Sequence, residues 1–276
     1  MLFTPDMMDR GDARLVPVGD ITMGVTLRGA GKPIVFIHGL GWDRRLWAGE
    51  AERLAGRYLT VTGDSRGHGL SDKPEGPYSI DMLAADWIGV IDALGLADIC
   101  LVGFSQGGMI AQTIMRDRPE LVSALMLVST SPASAASTRE NMEKRLAAEA
   151  VDGARAAAEI AAASIFSPAW RERHPDTLEA FLEWRVTADQ AALASATRAL
   201  YDFDVTGTLP AVAVPTLVVA GVDDVLTKPA GMQKIAELVP GAEYLEVADS
   251  GHMIPIEQPA AFSELIDRFL ARHFAA

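Results

Sequence analysis

A serine framed by glycines, a histidine following a glycine and a pair of aspartates after an apolar run are the residues of this chain whose types could together do chemistry. Ser105 sits in Gly103-Phe104-Ser105-Gln106-Gly107, with the apolar run Ile99 to Val102 before it and helical text after it. A serine at a tight strand-to-helix turn projects its hydroxyl out of the backbone, and the two glycines remove Cβ atoms that would collide across the turn. The helix start behind it favours developing negative charge. A hydroxyl is a poor nucleophile near neutral pH. It needs an imidazole to take its proton and a carboxylate to hold that imidazole in one tautomer.

The chain has five histidines. His174 lies among Arg171, Glu172 and Arg173, which reads as a solvated face, and His273 falls in the last turn of a terminal helix. His68, within Arg66-Gly67-His68-Gly69, reads as a hydrogen-bonding turn residue. His38 ends an apolar run and is better placed to order a loop than to act as a base. His252, in Asp249-Ser250-Gly251-His252-Met253, follows the last apolar run in a glycine-containing loop and is the expected base. For the carboxylate, Asp223 and Asp224 both follow the run Thr216 to Gly221. The run Ala124 to Val128 ends in Ser129-Thr130-Ser131, with no acid to offer.

These residues must be positioned by elements that alternate. Short apolar runs at Ile34 to Ile37, Leu59 to Thr62, Ile99 to Val102, Ala124 to Val128, Thr216 to Ala220 and Tyr244 to Val247 read as strands, mostly buried on both faces of a parallel sheet. Between them, Arg45 to Ala55, Asp81 to Leu94, Gln106 to Arg116 and Pro259 to His273 carry apolar residues at three and four spacing, as amphipathic helices do. Leu15 to Val18 and Ile21 to Leu27 alternate and suit antiparallel edge strands. Strand and helix in alternation make the fold class α/β. From Val128 to Pro215 the alternation stops and helical text takes over, Ala-rich from Ala147 to Ala163, with capping boxes expected at Ser137 to Glu140 and Thr187 to Gln190. The expected organisation is one core, 1–131 with 206–276, interrupted by a helical cap insertion at 132–205.

Composition narrows the function classes. With 276 residues, 49% of them hydrophobic, the chain can bury one sizeable core. Its formal charge of -13 repels phosphate backbones and anionic lipid heads, so nucleic-acid and membrane-surface roles are not expected. Met1 to Arg10 holds acids and no run of signal-peptide length, and no segment approaches the roughly 18 apolar residues of a membrane span. The single cysteine, Cys100, lies in an apolar run and permits no disulfide or Cys-based metal site. The reading is a soluble, cytoplasmic protein with no cofactor and no metal, self-association as a homo-oligomer left open.

The chain also resembles the α/β-hydrolase fold superfamily over nearly its whole length. The resemblance rests on His38-Gly39-Leu40-Gly41-Trp42, on Asp64-Ser65-Arg66-Gly67-His68-Gly69-Leu70-Ser71-Asp72, on the serine pentapeptide and on Gly251-His252. It implies a mostly parallel eight-stranded sheet flanked by helices, and a triad in the order Ser105, Asp224, His252. Asp224 is preferred to Asp223 because its place relative to Gly221 and Pro229 matches the family pattern. The resemblance further implies an oxyanion hole from the backbone N–H groups of Leu40 and Gln106, as preorganised donors require. Arg66 and Asp72 are expected to tie the loop to its neighbours. Trp42, Phe166, Trp170 and Trp184, with Phe181 and Tyr201, are candidates to line an apolar substrate pocket, the alternative for each being plain core packing.

Within the superfamily, epoxide hydrolases and haloalkane dehalogenases use a carboxylate where Ser105 stands and are excluded. The stretch from Gly63 to Ser131 is similar to 3-oxoadipate enol-lactonases, small carboxylesterases and cofactor-free haloperoxidases. Enol-lactonases often have Asn-Ser in place of His38-Gly39, perhydrolases tend to have proline in place of Gly41, and carbon–carbon hydrolases commonly have asparagine in place of Phe104. The expected activity is hydrolysis of carboxylic esters or lactones. A perhydrolase, an enol-lactonase of aromatic degradation and a ligand-binding receptor of the same fold are the alternatives.

Overall fold

A computed structural model describes residues 13–276, apart from the side chains of Ser137 and Thr138. Met1 to Arg10, read above as lacking a signal sequence, therefore lies outside the described residues. Eight strands form one sheet: β1 (Ala13–Val18), β2 (Ile21–Arg28), β3 (Pro33–Ile37), β4 (Leu59–Gly63), β5 (Ile99–Phe104), β6 (Val122–Val128), β7 (Thr216–Gly221) and β8 (Glu243–Val247), in the order β1-β2-β4-β3-β5-β6-β7-β8. Only β2 pairs antiparallel, with β1 on one side and β4 on the other; every other pairing is parallel. Strand β1 is an edge of the sheet as expected, but β2, expected to be an edge strand too, lies between β1 and β4 and is buried over the consecutive residues Met23, Gly24 and Val25, while the continuous apolar text of β5 and β7 is buried throughout. All six residues of β5 and of β7 are buried, because helices cover both faces of a parallel sheet.

Helices α1 (Ala48–Leu54), α2 (Ile80–Ala93) and α3 (Gln106–Asp117) connect the strands up to β6, and α9 (Pro229–Leu238), α10 (Ile254–Glu257) and α11 (Pro259–His273) complete the C-terminal part. The expected helix over Arg45 to Ala55 is divided: a 3-10 turn over Arg44–Trp47, capped by the Asp43 carboxylate, precedes α1. Two apolar clusters lie on opposite sides of the sheet. One centres on Trp87, Ile110 and Val35, the other on Trp47, Phe104 and Phe262.

Between β6 and β7 the described residues form five α-helices, a 3-10 turn at Leu209–Ala211 and no strand: α4 (Ala136–Asp152), α5 (Ala154–Ile165), α6 (Pro168–Arg173), α7 (Pro175–Arg185) and α8 (Gln190–Arg198). The ends of this segment meet. Ala133 bridges Asp204, Ser134 N donates to the Phe203 carbonyl and Val205 N to the Pro132 carbonyl. Neither expected capping box is the cap used. Helix α4 begins at Ala136, which places Ser137 inside its first turn, with its side chain among the undescribed atoms. Helix α8 is capped by Asp189, two residues beyond Thr187, whose carboxylate accepts from Ala192 N. Among the described residues no helix is long and apolar enough to cross a membrane.

Candidate active site

The turn between β5 and α3 carries Ser105 at φ 53, ψ -118, a conformation that non-glycine residues avoid and that aims the side chain away from the sheet. Two close approaches permit it. A Cβ on Gly103 would lie 2.4 Å from the Gly107 carbonyl oxygen, and one on Gly107 would lie 2.3 Å from that of Ile37. The serine backbone is pinned as well, its N–H donating to the Val128 carbonyl and its carbonyl accepting from Thr130 Oγ1.

Strands β7 and β8 deliver the partners. His252 Nε2 lies 2.9 Å from Ser105 Oγ, and His252 Nδ1 lies 2.8 Å from Asp224 Oδ2. Asp224 is buried and accepts further hydrogen bonds from Leu226 N, Thr227 N and Thr227 Oγ1. Burial works against its charge, but His252 and Thr227 outweigh burial and hold its carboxyl below the usual carboxylate range. Since Asp224 holds the Nδ1 proton, Nε2 is left as an acceptor facing the serine hydroxyl. Asp223 is exposed, one residue away. The structure thus brings Ser105, Asp224 and His252 together and leaves Asp223 aside.

The loop after β3 lies against this group: a Cβ on Gly39 would sit 3.0 Å from Ser105 Cβ. Two neutral histidines set its path. His38 Nε2 accepts from Ser65 N at 2.9 Å and its Nδ1 faces the Gly39 carbonyl at 2.8 Å; His68 Nε2 accepts from Gly41 N at 2.9 Å and its Nδ1 faces the Arg66 carbonyl at 3.0 Å. Each ring therefore carries its proton on Nδ1. Burial lowers both pKa values, that of His68 to about 3, with His38 adding to the effect. Gln106 N opens α3, where first-turn N–H groups have no intrahelical acceptor. Leu40 occupies the same loop, between Gly39 and Gly41. The Gln106 side chain also does something its motif conceals, donating from Nε2 to the Ala196 carbonyl and so joining the serine turn to α8.

Arg66 and Asp72 are structural, as expected. Arg66 spans Asp86 and Asp20, and Asp72 Oδ2 accepts from Thr22 N. The aromatic candidates separate into two groups. Trp42 and Trp184 line a cavity of about 170 Å³ beside the loop after β3. Phe166 and Trp170 do not line it: they stack on each other at 4.5 Å between centroids, Phe166 meets Phe181 edge-on, and all three rings are buried as core. His174, expected on a solvated face, is half-buried instead, because its ring stacks on Trp170 at 4.7 Å.

Sequence reading missed three contributors. Glu257, buried in α10, accepts from Gly251 N and Met253 N, on either side of His252, and from Ser167 N. Thr227 holds Asp224. Arg185, at the end of α7, donates from Nη1 to the Gly41 carbonyl at 2.5 Å. The first two sit at short, fixed offsets from His252 and Asp224, a weak signal that the text does carry; Arg185, 144 residues from Gly41, has none.

The family signature of the alpha/beta hydrolase fold matches residues 32–259. The chain is 29% identical over 239 residues, 87% of its length and 88% of the relative's, to 3-oxoadipate enol-lactonase 2 of Acinetobacter baylyi. Among solved structures it is similar to the enol-lactonase from Burkholderia xenovorans LB400, with TM-score 0.87 and 27% identity over 94% of this chain and 100% of that one. A thermophilic esterase from Thermogutta terrifontis, solved with malate bound, also matches with TM-score 0.87, at 26% identity over 95% of this chain and 100% of that one.

Proposed function

The chain belongs to the alpha/beta hydrolase fold family, and from that premise we propose that it is a serine hydrolase of carboxylic esters or lactones. The observation that carries this reading is the continuous hydrogen-bonded line Ser105 Oγ to His252 Nε2 and His252 Nδ1 to Asp224 Oδ2, at 2.9 and 2.8 Å. In this reading His252 takes the Ser105 proton as Oγ adds to the substrate carbonyl, and Asp224 stabilises the imidazolium that forms. The Leu40 and Gln106 N–H groups receive the oxyanion of the tetrahedral intermediate. Its collapse breaks the bond to the alkoxy oxygen, to which His252 returns the proton. Water, deprotonated by His252, then adds to the acyl carbonyl, and collapse breaks the bond to Ser105 Oγ, which takes the proton back from His252 as the acid leaves. Similarity to both an enol-lactonase and an esterase supports the two substrate classes.

Hydrolysis is preferred to perhydrolysis on one observation. Gly41 holds φ 68, which proline, locked near -65°, cannot adopt, so the loop takes a path closed to the proline-bearing version. A panel of p-nitrophenyl esters and lactones, run with and without hydrogen peroxide, tests the reading. Free acid is the expected major product, and a serine-directed phosphonate is expected to label Ser105 alone. Labelling elsewhere, or an active Ser105→Ala variant, would remove the nucleophile from this account; peracid as the major product at modest peroxide would overturn the preference for hydrolysis.

A further inference from the structure

Arg185 is only 5% exposed, yet its one hydrogen bond among the described residues goes to a neutral acceptor, the Gly41 carbonyl, at 2.5 Å. No carboxylate among the described residues lies within ion-pair distance of it. Burial, and then the positive charge of Arg145, pull its pKa down to about 9, with Glu149 opposing, which still leaves it a cation at neutral pH. A buried guanidinium is normally matched by a carboxylate, because desolvating the cation is costly. With no such match, its field falls on the peptide it touches, in surroundings that screen it weakly.

That peptide leads to the serine. Gly39 to Trp42 form a turn, closed by Trp42 N donating to the Gly39 carbonyl at 3.1 Å, and its third residue, Gly41, has the positive φ of 68 that the third position of a type II turn requires. The one cis peptide among the described residues is Gly76-Pro77, so each peptide of this turn is trans and carries its C=O and its N–H on opposite edges of one plane. Two of these planes are hydrogen-bonded in series. Arg185 Nη1 donates to the carbonyl of the peptide between Gly41 and Trp42, and the N–H on the far edge of that plane, which is that of Trp42, donates to the carbonyl of the peptide between Gly39 and Leu40. The N–H on the far edge of the second plane is that of Leu40, and it meets no acceptor among the described residues. His38 Nδ1 donates to the Gly39 carbonyl as well, at 2.8 Å, and Gly39 packs on Ser105, which fixes this last plane beside the nucleophile.

We propose that Arg185 is a positioning residue for the reaction: through these two peptide planes its charge orients and polarises the Leu40 N–H that receives the oxyanion. The proposal rests on the hydrolase reading above, in which Leu40 supplies that donor. The cation draws electron density toward the Gly41 oxygen, the Trp42 N–H becomes the stronger donor for it, and the Gly39 oxygen passes the effect on to Leu40; chains of this kind gain roughly 10–30% in strength per bond. A donor strengthened in this way favours a full negative charge over a neutral ester carbonyl, so the gain falls on the transition state and shows in kcat rather than in KM. Gln106, whose N–H is the second proposed donor, is bonded through its side chain to Ala196 in α8. Both donors are thus tied to the helical segment between β6 and β7, one through charge and one through position.

The test measures kcat and KM for p-nitrophenyl butyrate on wild type, Arg185→Lys, Arg185→Gln and Arg185→Met, with competent sites counted by a serine-directed phosphonate taken to completion. Removing a whole oxyanion donor costs roughly 10²–10³ in kcat, and weakening one is expected to cost less, about tenfold in Arg185→Gln, which can donate but carries no charge. Arg185→Met, which can do neither, is expected to lose more, and Arg185→Lys, which keeps charge and donor, to retain most of kcat; KM is expected to hold throughout. A second readout needs no turnover. The affinity of a hexyl trifluoromethyl ketone, which Ser105 converts into a tetrahedral oxyanion, is expected to fall across the variants in step with kcat/KM, whereas that of its reduced alcohol, which forms no oxyanion, is expected to stay constant. Equal kcat in Arg185→Gln and Arg185→Lys would mean that the charge is not used, and a loss confined to KM or to the number of competent sites would make Arg185 a structural support; either overturns the proposal. Ester hydrolysis and ketone binding untouched by any Arg185 variant would overturn it alone, whereas a wild type that hydrolyses no ester and takes no ketone on Ser105 would overturn the hydrolase reading with it.

Discussion

Asp223 and Asp224 are neighbours in the chain and differ in everything that matters to a catalytic carboxylate. Asp223 is exposed, whereas Asp224 is 3% exposed and accepts from His252 Nδ1, Thr227 Oγ1 and two backbone N–H groups. Asp224→Asn keeps the shape and loses the charge that fixes the imidazole tautomer, so kcat is expected to fall by roughly four orders of magnitude, as in other triads. Asp223→Asn is expected to change kcat by less than about twofold, as surface substitutions generally do. Steady-state kinetics on the two variants decide, and the reverse ranking would move the role by one residue. Residue types and spacing were enough to single out Ser105 and His252, because chemistry restricts those positions to few residues. They left two aspartates open, since both satisfy the same chemistry and only burial, a property of the folded loop, separates them.

At the scale of elements, the histidine loop is held by α10 and by the C-terminal end of α5. Glu257 accepts from Gly251 N and Met253 N, and His252 N donates to the Ile165 carbonyl at 3.0 Å. Replacing Glu257 by Gln puts an NH₂ group against amides that need acceptors, leaving buried donors unmet at about 1–3 kcal/mol each. The loop then loses its grip on the imidazole. Glu257→Gln is expected to lower kcat by about 10- to 100-fold, the range typical of groups that orient a catalytic ligand, with KM nearly unchanged; Glu257→Asp is expected to restore part of kcat. A rise in KM with kcat intact would mean that Glu257 shapes the binding cavity instead. The strands and the flanking helices could be read from apolar periodicity because two-sided burial and one-sided burial leave different patterns. The contacts of Glu257, Gln106 and Arg185 could not, since each joins segments brought together only by the complete chain: Gln106 meets Ala196 across 90 residues. The capping residue of α8 was misplaced for a smaller reason. Thr187 and Asp189 are both competent caps, and the chain path into the helix chose the acid.

Over the whole molecule, the fold keeps two imidazoles neutral and buried beneath the loop after β3, and this couples the site to global stability. His38 and His68 have folded pKa values lowered by burial, that of His68 to about 3, against about 6.5 in an unfolded chain. Between those values the unfolded state binds more protons than the folded one. The stability these histidines contribute is therefore complete above about pH 6.5 and is lost as pH falls below it, for His68 over the range down toward 3. Asp64 works the other way, because burial raises its carboxyl above the ordinary value and the folded state then holds the extra proton as pH falls. The histidine effect must accordingly be read as a difference between proteins. The fall in Tm from pH 7.5 to pH 5 is expected to be larger for wild type than for His68→Gln, whose amide oxygen still accepts from Gly41 N but takes up no proton. At pH 7.5 the variant is expected to be the less stable of the two, since glutamine cannot reproduce the ring's contact with His38, 5.0 Å between centroids. Hydrolysis should follow the same logic: protonated His68 cannot accept the Gly41 N–H, and the loop that carries Leu40 loses its support. If the two Tm profiles run parallel between pH 7.5 and pH 5, the acid sensitivity lies elsewhere in the molecule and His68 serves only as a packing residue.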